Sequence, residues 1–197
     1  AMRDRLNDLE INGRIVTGEG EKDNRDVESM LELRERVGNT ASPIVDIAVD
    51  PLEGTSLTEN NQPGGLSVLA GAVHDDGFLV ELPPAYYAHK LAVGFPDAHH
   101  VISLDTTVSE NLLAIAERLE KSVEELTVVI LKRPRHDRLI ADVRAAGARV
   151  QLIDHGDVGA ALETAIPTAD VDVMMGIGGL TEGYLAAVGL KALGGSI

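Results

Sequence analysis

Apolar positions change their period twice along the chain, and that pattern predicts most of its elements. Met2 to Leu9 has helical spacing, Asn12-Gly13 interrupts it, and Arg14-Ile15-Val16-Thr17 reads as a strand. After Gly18-Glu19-Gly20-Glu21 and a polar stretch, apolar residues from Val27 to Val37 predict a helix. Ile44 to Val49 is a buried-strand pattern that runs straight into Asp50-Pro51-Leu52-Glu53-Gly54-Thr55. Gly65 to Val73 and Phe78 to Leu82 read as two strands joined by a turn at Asp75-Asp76-Gly77.

From Ser109 onward helices and strands alternate regularly. Ser109 caps a helix running through Leu112, Ile115 and Leu119, and a strand follows at Leu126 to Leu131. Asp137 to Ala146 is a helix closed by Gly147, Arg149 to Ile153 a strand, and Asp157 to Ile166 a helix. Val171 to Met175 and Thr181 to Leu193 complete the series as strand and helix. That order predicts a parallel layer covered by helices. The fold class is therefore α/β in two parts. Residues 1–105 form a mixed α+β part carrying GEGE and DPLEGT, and residues 106–197 an α/β part carrying RPRHD and GIGG. Both ends read as cut: Met2 opens inside an uncapped helix, and Leu193-Gly194-Gly195-Ser196-Ile197 stops a helix and begins something further.

Composition narrows the function. A hydrophobic share of 44% with 3% aromatics and no Trp demands a core of Val, Leu, Ile and Ala. The lack of cysteine excludes a disulfide scaffold, a thiolate metal site and a cysteine nucleophile, and fits a reducing cytoplasm. No apolar run approaches the roughly 18 residues of a membrane span, so no membrane partner is expected. A net charge of −15 opposes the broad basic surface that nucleic acid requires. Much of that charge serves solubility; the remainder can gather around divalent cations.

Two acidic motifs stand at strand ends. Asp50 closes a buried strand and Glu53 follows three residues later, so two carboxylates and the Leu52 carbonyl can share one tip, a donor set suited to Mg²⁺ or Mn²⁺. Gly54 and Thr55 can open a helical turn towards a phosphate. The plainer alternative, an Asp-Pro turn followed by a helix cap, fits the spacing equally well. The pairing with Gly18-Glu19-Gly20-Glu21 at another strand tip favours the metal reading. Lys132, Arg133 and Arg135 form a basic knot at a strand end, suited to phosphate or to a solvated loop. Gly176-Ile177-Gly178-Gly179 opening a helix is a weaker phosphate-cradle pattern.

Five ordered motifs give the chain a family resemblance: Ile15 to Asp23, Val45 to Thr55, Pro134-Arg135-His136-Asp137, Gly156-Asp157-Val158, and Gly176 to Gly179 through Glu182-Gly183. The sequence resembles the class II fructose-1,6-bisphosphatases of bacteria, including forms that also cleave sedoheptulose 1,7-bisphosphate, within the lithium-sensitive phosphatase superfamily. The resemblance implies a sugar-phosphatase-like fold and roles residue by residue. Glu19 matches a metal ligand, and Asp50, Glu53 and Glu182 match the ligands of a second metal position. Thr55 lies near the attacking water and Asp23 supports it. Glu53, Gly54, Thr55 and Tyr87 match substrate contacts, with Tyr86 able to exchange roles with Tyr87. Arg133, Pro134 and Arg135 match the phosphate grip, while Asp157 and Gly179 line the sugar site. His136 is expected to hold the turn.

The family pattern also carries an upstream lysine and metal-binding aspartate, and a further segment beyond Ile197. His155 stands where an acidic substrate contact is usual, Arg133 where a lysine is usual, and Asn24 to Ser29 is longer than the pattern. The expected activity is metal-dependent hydrolysis of the C1 phosphate of fructose 1,6-bisphosphate or a related sugar bisphosphate, by a cytoplasmic homo-oligomer. The alternatives are a sugar-phosphate binder without hydrolysis and a sugar or inositol monophosphatase.

Overall fold

The protein is described by a computed structural model covering residues 1–18, 31–74, 77–83 and 85–197. It divides into two compact units, Ala1–Tyr86 and Tyr87–Ile197. The division near residue 105 expected from sequence therefore falls inside the second unit, because the strand that follows Tyr86 pairs with that unit's sheet. No described helix is long and apolar enough to cross a membrane.

The first unit opens with α1 (Met2–Asn7) and a four-stranded sheet of order β2-β1-β3-β4. The strands are β1 (Asn12–Thr17), β2 (Arg36–Val37), β3 (Ile44–Glu53) and β4 (Leu66–Val73). β1 and β3 run parallel, while β2 and β4 are antiparallel to their neighbours, so the sheet is mixed. Leu6, Ile15, Leu31, Val37, Ile47 and Val49 form its buried core.

Two expectations fail here. The helix predicted from Val27 to Val37 is absent over its described part, 31–37: Arg34 has a left-handed backbone, φ 68°, which a helix does not tolerate. Arg36–Val37 instead pairs with Gly13 and Arg14. The apolar spacing of Leu31 and Val37 reports burial in this core, not a helical face. The strand predicted from Phe78 to Leu82 is absent too. β4 spends its hydrogen bonds on β3, from Val45↔Val73 to Glu53↔Leu66, and not on a hairpin partner. Within that turn Asp75 and Asp76 lie outside the described residues.

The second unit is a four-stranded sheet of order β5-β8-β6-β7. Its strands are β5 (Tyr87–Val93), β6 (Thr127–Leu131), β7 (Arg149–Ile153) and β8 (Val173–Gly179). The expected parallel layer is present in β6, β7 and β8, but β5 joins it antiparallel along β8, making this sheet mixed as well. The helices are α3 (Val108–Arg118), α4 (Asp137–Ala145), α5 (Asp157–Glu163) and α6 (Leu180–Leu193), with α2 (Thr55–Glu59) belonging to the first unit. Leu112, Ile115, Val128, Ile130, Val143 and Val173 lie at its fully buried centre.

The cap of α3 is Thr107, two residues before the Ser109 read from sequence. The Thr107 hydroxyl accepts from the Glu110 N–H at 3.2 Å, and the Glu110 carboxylate accepts from the Thr107 N–H at 2.9 Å. Glu110 stands three residues after Thr107, the spacing that lets both bonds close at once.

Candidate active site

In the first unit the chemistry sits at the carboxyl end of β3. Asp50 and Glu53 are 3% and 6% exposed, although both carry a carboxylate. The pairing with β4 is irregular between them, which lets the chain turn at Pro51 and bring both to one tip. The Asp50 Oδ1 accepts from the Leu52 N–H at 3.1 Å and tightens that turn. Gly54 then adopts a left-handed conformation, φ 80°, available to glycine at little cost, and Thr55 opens α2 as expected.

β1 runs parallel to β3 with Thr17 beside Ala48, so β1 delivers the chain to the same edge that Asp50 occupies. A Cβ on Gly18 would collide with the Leu31 carbonyl, so glycine is required where the chain leaves β1. Glu19 and Asp23, the other acidic candidates of this unit, lie outside the described residues, as do Gly20 and Glu21.

In the second unit four separate segments meet at one edge. β6, β7 and β8 are parallel, so the segments leaving them emerge together: Arg133-Pro134-Arg135 after β6, Gly156-Asp157 after β7, and Gly179 with Glu182 at the junction of β8 and α6. Tyr87 reaches the same edge because β5 runs the other way and pairs Tyr87 with Gly179. Open α/β sheets bind ligands outside the carboxyl ends of their strands.

His136 fastens this edge. It is 1% exposed; one ring nitrogen, Nδ1, lies 2.7 Å from the Leu131 carbonyl and the other, Nε2, accepts from the Ile177 N–H at 2.8 Å. The ring thus ties the ends of β6 and β8 and seats the short 3₁₀ turn Pro134–His136, the role expected for it. Arg135 donates to the Ile177 carbonyl at 2.8 and 3.1 Å, and its guanidinium lies 5.4 Å from the centre of the Tyr87 ring. Arg133 donates to the Lys132 and Asp154 carbonyls, at 2.8 and 2.7 Å. A cavity of about 300 Å³ adjoins Arg135 and is also lined by His89, Arg138 and Met175.

Gly176-Ile177-Gly178-Gly179 leads into a helix as read from sequence, with Gly179 the N-cap of α6, and it does so from within a strand. These residues are the end of β8, in register with β5 from Lys90↔Gly176 to Tyr87↔Gly179, and α6 starts at once at Leu180. The glycines serve close packing. A Cβ on Gly178 would overlap the Asp157 carboxylate, which lies directly over the strand. Sequence reading missed the partner of that carboxylate. Lys90, itself 4% exposed, donates to Asp157 Oδ2 at 2.6 Å.

Within each unit, no three His, Asp or Glu of the described residues cluster in a way that could hold a metal ion. Asp50 and Glu53 belong to the first unit, Glu182 to the second.

Two mixed sheets with buried carboxylates and an arginine-rich turn at the carboxyl ends of their strands define an α/β protein of the phosphatase-like class. The chain belongs to the bacterial fructose-1,6-bisphosphatase family, glpX-encoded, whose family model matches residues 1–197. It is 42% identical over 207 residues to proteins named D-fructose 1,6-bisphosphatase class 2/sedoheptulose 1,7-bisphosphatase from Nostoc sp. and Trichormus variabilis. The protein of that name from Thermosynechococcus vestitus is 42% identical as well. Each match takes in 99% of this chain and 58% of the relative, so the chain spans a little over half the length of these proteins.

Proposed function

We propose that this chain carries the metal- and sugar-phosphate-binding part of an enzyme that hydrolyses the C1 phosphate of fructose 1,6-bisphosphate or a related sugar bisphosphate. The observation that carries the reading is the buried carboxylate pair Asp50 and Glu53 at the end of β3, in a chain of the bisphosphatase family. A buried carboxylate costs free energy unless hydrogen bonds or positive charge compensate it, and a hard divalent cation is one group that does so.

The donor set fits hard divalent cations, Mg²⁺ or Mn²⁺: Asp50 and Glu53 with Glu182 at one position and Glu19 at another, Glu19 and Glu182 being assigned by family resemblance, and neither sulfur nor imidazole among them. Bound there, such an ion supplies positive charge to a phosphoryl group and makes water a better nucleophile. Thr55, exposed at the start of α2, orients the attacking water through its hydroxyl, with Asp23 supporting that water. Arg133 and Arg135 grip the distal phosphate with Tyr87 beside them, and Asp157 and Gly179 line the sugar. The Arg135 fork is held in place by the Ile177 carbonyl, so little side-chain entropy remains to be lost on binding.

The enzyme is read as a cytoplasmic homo-oligomer. Its test is phosphate release from fructose 1,6-bisphosphate by the whole protein with Mg²⁺ or Mn²⁺. Glu53→Gln keeps the size of the side chain and removes the charge, and it should abolish most turnover. Undiminished turnover in that variant would remove Glu53 from the ligand set.

A further inference from the structure

The Lys90–Asp157 pair raises a question that its stability does not answer. Lysine is almost never fully buried without a partner. Here both members are enclosed, with side chains 3% and 7% exposed and a nitrogen–oxygen distance of 2.6 Å. A buried ion pair is a poor stabiliser, because desolvation offsets most of its attraction and apolar residues of the same volume often do better. Its value lies in fixing a charged group in one place.

Three features hold this pair in a single geometry. Asp157 is the first residue of α5, directly after Gly156 at φ 91°, so its backbone position is set by the turn leaving β7. A Cβ on Gly178 would overlap Asp157 Oδ2 and come within 2.8 Å of Lys90 Nζ, so the strand is stripped bare beneath both charges. On the other flank a Cβ on Gly183 would lie 3.0 Å from Lys90 Cε, so the lysine stem runs close along α6. The strand and helix that confine the pair are those bearing Gly179 and Glu182.

We infer that Lys90 is a positioning residue of the sugar site: it holds the Asp157 carboxylate at the edge of the second sheet, in the orientation that accepts hydrogen bonds from a sugar hydroxyl. The inference rests on the reading of Asp157 as a sugar contact in a bisphosphatase. Lys90 touches Asp157 and acts through it. The cost of a missing lysine therefore falls on binding of the sugar moiety, and the phosphoryl chemistry at the first unit's carboxylates is spared.

The experiment measures calorimetric affinity for fructose 1,6-bisphosphate alongside phosphate release, in the whole protein and in Lys90→Met, Asp157→Asn and the double variant K90M/D157N. Lys90→Met should weaken binding about tenfold while saturated turnover stays within about threefold, the signature of lost uniform binding. The double variant should bind no more weakly than Asp157→Asn alone, since both changes remove one function. K90M/D157N leaves no buried charge unpaired and stays testable where Lys90→Met fails to fold. Wild-type affinity in a folded Lys90→Met protein, or penalties that multiply in the double variant, would overturn the inference. Binding by the wild type with no phosphate release refutes hydrolysis and leaves Lys90 standing; no binding at all refutes both.

Discussion

Replacing His136 by alanine should cost the second unit a large fraction of its stability, and the structure allows the cost to be built from parts. The Ile177 N–H donates to Nε2, so that nitrogen is the acceptor and Nδ1 carries the proton that goes to the Leu131 carbonyl. His136→Ala orphans both backbone groups at about 1–3 kcal/mol each. It also leaves a ring-sized void where the side chain is 1% exposed, so the total comes to about 3–6 kcal/mol. Set against a typical net stability of about 5–15 kcal/mol, such a loss is severe. His136→Asn keeps one partner within reach but not two, and should fall between wild type and alanine. Urea denaturation followed by far-UV circular dichroism measures the series. A loss under about 1 kcal/mol for alanine would refute the idea that this ring fastens β6 to β8. The same series reports on the site, because Arg135 is anchored to Ile177 itself.

Thr107→Ala removes the α3 cap and should destabilise the second unit by about 1 kcal/mol. The side-chain hydroxyl and then the N–H of Thr107 hold the Glu110 carboxyl below its usual range. The folded value is lowered, so this contribution is present above the unfolded value and is lost as acid drives the pH down through the folded one; Glu110→Gln should flatten that part of an acid-unfolding curve. Asp46 and Asp50 lie on the same strand, both buried, yet they should fail in different assays. Asp46→Asn weakens contacts to Arg14 at 2.8 Å, His74 at 3.3 Å and the Leu79 N–H, and should cost stability, about 1–3 kcal/mol, without changing turnover per folded molecule. Asp50→Asn should abolish phosphate release while leaving most of the stability.

Sequence pattern located the strands that are buried on both faces and the helices with strong caps or stops. β3 runs into the DPLEGT turn as expected and β6 is buried throughout, while β7, at Arg149–Ile153 as its spacing predicts, is half-exposed and was found by its place in the alternation of helices and strands. Pattern failed where tertiary contacts overrode periodicity. Residues 31–37 alternate in a helix-like way because Leu31 and Val37 reach one core from an irregular chain. β5 went unseen because His89 and Lys90 interrupt its apolar run, and only the fold reveals that the lysine is satisfied by an aspartate 67 residues away. The cap of α3 was legible, since Thr107 and Glu110 have capping-box spacing, although Ser109 offers a second capping hydroxyl close by. Among site residues, the strand-tip carboxylates could be read from local sequence, because a buried strand ending in Asp50 is visible as such. The Lys90–Asp157 pair could not, having no local signature.

The two units share one logic despite different sheets. In the first, β1 and β3 are the parallel pair and the acidic candidates follow their carboxyl ends; in the second, β6, β7 and β8 are parallel and the basic and sugar-lining candidates follow theirs. Antiparallel strands flank these layers, β2 and β4 on the two sides of the first and β5 on one side of the second. Parallel pairing sends successive crossovers to a common edge, so residues far apart in sequence become neighbours without any one loop having to be long. That explains why the motifs are short and widely spaced along the chain. Each strand end contributes two to four residues of chemistry, and the strand before it, buried in aliphatic side chains, supplies the rigidity that a low-aromatic core must obtain from packing alone.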